Sequence, residues 1–118
     1  MNIKTKRVYE ESAPSDGVRI LVDRLWPQGL SKEKAHLDFW AKDVAPTNDL
    51  RHWYDHDVKK WEEFKKKYIK ELNNNSEAVA ELKTHLHGHV ITFLFAAKVE
   101  EFNNAEVLRE YMNDHEKR

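Results

Sequence analysis

Apolar residues follow three rhythms along this chain, and each rhythm predicts a different kind of element. Residues 90–96 (Val90, Ile91, Thr92, Phe93, Leu94, Phe95, Ala96) are almost all apolar, as in a strand covered on both faces. Residues 18–22 make a short β-branched run with Arg19 inside it and read as a second strand. Residues 3–9 alternate weakly, Ile3, Thr5 and Arg7 against Lys4, Lys6 and Val8, as a polar edge strand does. Val58, Trp61, Phe64, Tyr68 and Leu72 recur at helical spacing and predict a helix over 58–72, with Asp57 as its cap. Ser76 caps a second helix that turns Val79, Leu82 and Leu86 inward and ends at Gly88. A last helix starts at an Asn103 or Asn104 cap and carries Val107, Leu108 and Tyr111.

Turn chemistry fills the gaps. Residues 12–17 and the run Pro27-Gln28-Gly29 combine the fixed φ of Pro with the freedom of Gly. Ser31 caps a short helix from Lys32. Residues 37–44 fit two patterns: Leu37, Trp40, Ala41 and Val44 make a helical stripe, whereas Leu37, Phe39 and Ala41 alternate as a strand. The order β-β-(α)-α-α-β-α includes a long, helix-containing crossover. It predicts an α/β fold, a small mixed or mainly parallel sheet of about three strands covered by helices. The 118 residues fit one domain, 1–118, large enough to bury a core without disulfides or metals.

Composition narrows the function classes. There is no cysteine, which removes disulfides, thiolate metal sites and cysteine nucleophiles and suits a reducing, cytoplasmic setting. No apolar run is long enough to span a bilayer, and no signal peptide is read at the start. Twenty basic residues against 21 acidic ones give a formal net charge of -1, so nucleic acid is not a favoured partner. Glycine-rich phosphate loops, Gly-x-Ser-x-Gly elbows and His-Glu-x-x-His are absent. No cofactor and no oligomeric state is specified by these residues.

Ionisable residues gather where strands end. Asp23 and Arg24 follow one strand and Lys98 follows another, and in open α/β sheets ligands bind beyond the carboxyl ends of strands. If the two strands are parallel neighbours, these residues meet in one crevice. Arg19, Arg24, Arg51 and Lys98 would hold a small anionic ligand, phosphorylated or nucleotide-like, with Arg offering a bidentate fork. Asp23 or His56 would handle protons, and Trp26 or Trp53 would stack a ring. An Asp23–Arg24 or Asp23–Arg51 ion pair that only pins a loop accounts for the same residues. His52 and His56 stand four apart, a spacing for a metal if the stretch were helical, but it reads as a turn into the 58–72 helix and no metal is assigned. The alternative function is a regulatory module contacting protein or nucleic acid through Trp26, Arg51 and the lysines between Lys59 and Lys70. Interleaved Glu62, Glu63 and Glu71 neutralise much of that lysine face.

The run Val22-Asp23-Arg24-Leu25-Trp26-Pro27, followed by Gly29-Leu30, Trp40-Ala41-Lys42-Asp43-Val44-Ala45-Pro46, Leu50-Arg51 and His56-Asp57, closely resembles the bacterial YeaO-like family. Ala96-Ala97-Lys98 with Asn103 extends the match across nearly the whole chain and adds Asn103 to the candidate ligand-binding residues. The family is a domain of unknown function, so the resemblance implies a shared site and no activity. Members commonly carry Arg at Gln28, Tyr at Phe95, Asp at Val99 and His at Phe102. The resemblance therefore implies that this chain lacks two of the family's usual polar groups after its last strand.

Overall fold

The computed structural model describes residues 2–116, the side chains of 115 and 116 excepted. Its centre is the apolar run, strand β4 (Val90–Phe95), with β1 (Asn2–Arg7) on one side and β2 (Val18–Leu21) on the other. A fourth strand, β3 (Phe39–Trp40), closes the order β1-β4-β2-β3, and every pairing is parallel. The sheet is thus one strand larger than the apolar rhythm predicts. Residues 37–44 resolve as a two-residue edge strand followed by a 3-10 turn over Lys42–Val44.

Side-chain alternation gives the sheet two unlike faces. Ile3, Ile20, Val22, Ile91, Phe93 and Phe95 belong to the large core, which includes residues of α3 (Trp61–Asn73), α4 (Ser76–Thr84) and α5 (Asn104–Glu116). The opposite face has a smaller core of Val8, Leu21 and Leu94, packed on by Trp26, Leu30, Leu37 and Trp40. These covering residues flank or lie near a one-turn helix, α1 (Lys32–Ala35), capped by Ser31 as the sequence predicts. Among the described residues no helix is long and apolar enough to cross a membrane.

Three boundaries differ from the sequence pattern. The expected helix over 58–72 begins as a 3-10 turn, Val58–Lys60, whose Lys59 N–H donates to Asp57, before α3 proper starts. α4 includes Ser76 as its first residue and stops at Thr84, short of Gly88. Residues 52–56, expected to be a turn, turn only at Asp55 and His56; before them runs a helix, α2 (Asn48–Tyr54), with the Thr47 hydroxyl accepting from the Leu50 N–H at 3.2 Å. Glu71 of α3 accepts from both the Thr47 N–H and its hydroxyl, which fixes the start of α2 against the main helix layer. α2 positions one wall of the candidate site.

Candidate functional site

β2 and β4 are parallel neighbours, so the residues after them emerge at one edge of the sheet. A cavity of about 510 Å³ opens there. Asp23, Arg24, Trp26, Arg51, His56 and Asn103 all line it. Six residues separated by up to eighty positions are therefore brought together in one cavity, Asp23 and Arg24 by the end of β2, while Lys98 stays outside it.

Asp23 is the best anchored. One carboxylate oxygen accepts from the Ala96 N–H at 2.9 Å and the other from the Asn104 amide at 3.2 Å. Its own carbonyl accepts from the Trp40 indole N–H at 2.7 Å. Burial raises its pKa above the usual 3.8, against the partial opposition of those two donors and of the nearby Arg51 and His56 charges. No ion pair joins it to Arg24 or Arg51 among the described residues. Asp23 instead ties the ends of β2 and β4 to the start of α5.

Arg24 is half-buried, and Nε and Nη2 donate to the carbonyls of Pro46 (3.0 Å) and Ala45 (2.9 Å). Nη1 has no hydrogen-bond partner among the described residues. Arg51 on α2 donates Nη1 to the Asn48 amide oxygen at 2.6 Å, which leaves Nε and Nη2 unpartnered among the described residues. His56 is exposed and lies beyond α2 in a left-handed conformation (φ 56°), as does Asp55 (φ 45°). His52 and His56 therefore do not share a helical face. No group of three or more His, Cys, Asp or Glu that could hold a metal occurs among the described residues.

Trp26 is half-buried, with its indole N–H donating to the Leu30 carbonyl at 2.7 Å and its ring edge-on to Trp40 at 5.4 Å. Asn103 is buried and caps α5: its oxygen accepts from the Glu106 N–H and its amide donates to the Val99 and Glu100 carbonyls. It shapes the loop beside the cavity, and its polar atoms are already partnered.

Three expected residues lie elsewhere. Arg19 is buried toward the other end of β2, pairing with Asp16 and donating to the Ala35 and His36 carbonyls. An arginine inside an apolar strand is accommodated only by such full pairing. Trp53 is on α2 but outside the cavity lining, with Lys60 and Lys67 ammonium groups 5.1 and 5.0 Å from its ring centroid. Lys98 is exposed on the loop after β4 and does not line the cavity.

Sequence reasoning also missed contributors. Tyr9 lines the cavity from beyond β1, held by its hydroxyl donating to the Gln28 carbonyl at 2.8 Å. The strand-end rule, applied to β1 as it was to β2 and β4, would have found it. Tyr54 and Phe102 join the lining from the core side, the Tyr54 hydroxyl donating to the Phe102 carbonyl at 3.1 Å. Burial and the nearby Asp57 charge raise the Tyr54 pKa above 10, so it remains a neutral donor at physiological pH. Asn104, weighed only as a cap, proves to be a partner of Asp23.

Fold and site together define a small parallel α/β protein with a mixed polar and aromatic cavity at its strand ends. Within that class the chain belongs to the DUF488-N3 proteins: the family model described as "Inactive DUF488-N3 subclade" matches residues 2–118. It is 40% identical over 111 residues to "Uncharacterized protein Rv3073c" of Mycobacterium tuberculosis, covering 94% of this chain and 93% of that protein. It is 38% identical over 112 residues to "Uncharacterized protein YeaO" of Escherichia coli, covering 95% and 97%. The YeaO-like resemblance read from the signature run therefore holds across the chain. No solved structure matches it.

Proposed function

We propose that this protein binds a small anionic ligand in the cavity beyond β2 and β4. The observation that carries the reading is the convergence of Arg24 and Arg51 on one cavity, each with guanidinium N–H groups not used by the fold. Unspent guanidinium donors beside a partly desolvated pocket form the charge-assisted hydrogen bonds that phosphates and carboxylates accept.

Binding without turnover is the better-supported form of this reading. Both oxygens of Asp23 already accept hydrogen bonds from the scaffold, and the other proton carrier, His56, is exposed to water. The subclade's description as inactive agrees with it. Thermal denaturation and amide NMR titration with inorganic phosphate and simple phosphate esters test the proposal. A ligand at a hundred times its Kd adds about 2.7 kcal/mol of stability, with amide shifts expected at residues 51–56 and 96–97. Unchanged melting with every phosphate compound, or a response undiminished in Arg51→Ala, would overturn it.

A further inference from the structure

The cavity's lining interleaves polar and apolar groups. Its arginines are Arg51 on α2 and Arg24, which is clamped to the Ala45 and Pro46 carbonyls. Beside Asp23 and Arg24, the segments that follow β1, β2 and β4 contribute the uncharged Tyr9, Leu25, Trp26 and Ala97. Among the described residues four large hydrophobic side chains are exposed: Tyr9, Leu25, Val58 and Val99. Tyr9 and Leu25 line this cavity, and Val99 lies two residues beyond Ala97 on an adjoining loop. Leu25, 57% exposed, and Tyr9, 42% exposed, serve no core, yet the Tyr9 hydroxyl is fixed to Gln28 so that the ring is held in place. Apolar surface gathered at the mouth of one polar cavity is the arrangement expected of a ligand with a flat apolar part.

Charge limits the polar part. Arg24 and Arg51 supply two formal positive charges, enough to face one phosphate dianion, and Asp23 and Asp55 in the same lining would repel the further charges of a triphosphate chain. The 510 Å³ volume lies within the range of small-molecule sites.

We propose that the ligand is a phosphate monoester bearing an aromatic ring, of the nucleoside monophosphate class, with its phosphate at Arg51 and Arg24 and its ring against Tyr9 and Leu25. This rests on the anion-binding reading above and adds the ring and the single phosphate. Calorimetric titration of the full chain with adenosine monophosphate, ribose phosphate, inorganic phosphate and adenosine triphosphate tests it. Adenosine monophosphate is expected to bind about tenfold tighter than ribose phosphate, the scale of one base–aromatic stack. Tyr9→Ala should erase that advantage while leaving ribose phosphate affinity unchanged, and Leu25→Ala should reduce it in the same direction.

Equal affinity of the two esters overturns the ring assignment and leaves anion binding standing. So does an advantage that survives in both variants, or a parallel loss of both esters in Tyr9→Ala. Tighter binding of the triphosphate overturns the single-phosphate assignment. Failure of all four compounds to bind overturns this proposal together with the anion-binding reading.

Discussion

Two aspartates bracket β2, and the chain treats them in opposite ways. Asp16, just before the strand, is buried among Lys6, Arg19 and the Ala13 N–H. Burial alone would raise its pKa, but those three partners outweigh it and hold the carboxyl below its usual 3.8. Asp23, just after the strand, has two neutral donors and no ion-paired cation among the described residues, and there burial prevails and the pKa rises. At the Asp16 end Arg19 is also saturated by backbone carbonyls, and Thr92 donates to the Asp16 carbonyl at 2.6 Å. At the Asp23 end the arginines keep unpaired N–H groups around open space. The same residue types make a structural rivet when every donor is partnered and a candidate site when some are not.

The largest expected effect is at the rivet. Arg19→Met leaves a buried carboxylate with one cationic partner and should cost about 3 kcal/mol, read as a shifted urea midpoint. A loss below about 1 kcal/mol, the range of surface pairs, would erase the contrast between the two ends. Asp23→Ala strands the Ala96 N–H and removes one of the two acceptors of the Asn104 amide, which keeps the Val22 carbonyl, and should cost about 1–3 kcal/mol.

Acid titration then separates the two by sign. Asp16, lowered on folding, stabilises the native state above 3.8, and that stability is lost as pH falls through its lower folded value. Asp23, raised on folding, holds its proton longer in the native state, so stability declines as pH rises from 3.8 through its higher folded value. Denaturation midpoints across this range should lose the first dependence in Asp16→Asn and the second in Asp23→Asn. An unaltered profile in either variant would show that its carboxyl does not carry the effect. The smallest stability change belongs to Arg51→Ala, within about 0.5 kcal/mol as for other partly exposed positions. The same substitution should weaken phosphate binding about tenfold, a change of about 1.4 kcal/mol in binding free energy, measured by titration.

Much of this arrangement is legible in the sequence. β4 declares itself because a parallel central strand is apolar on both faces, and Asp23 and Arg24 are placed by the strand that precedes them. β3 is two residues long, too short for any periodicity to register. α2 escapes because its seven residues bury only Leu50 and Tyr54, with Trp53 half-buried beside them, too short a run to set a helical period. Arg19 misleads for a different reason. Asp16 is only three residues away, but the Ala35 and His36 carbonyls meet Arg19 across a crossover, contacts that no local pattern encodes. Trp53 does likewise, because the lysines beside its ring come from a neighbouring turn and helix.

The left-handed backbone at Asp55 and His56 has a consequence for how this sequence relates to its own backbone. Glycine adopts that conformation without penalty, whereas a residue with a Cβ carries about 1–2 kcal/mol of strain there. Glycine at either position would remove that strain, against about 0.5–1 kcal/mol of added unfolded-chain entropy. A redesign that optimised the fold alone would place it there and delete two ionisable side chains from the cavity's lining. The natural sequence is therefore not the one its own backbone would select, and the mismatch falls at the mouth of the cavity, where selection for something other than thermal stability would be felt.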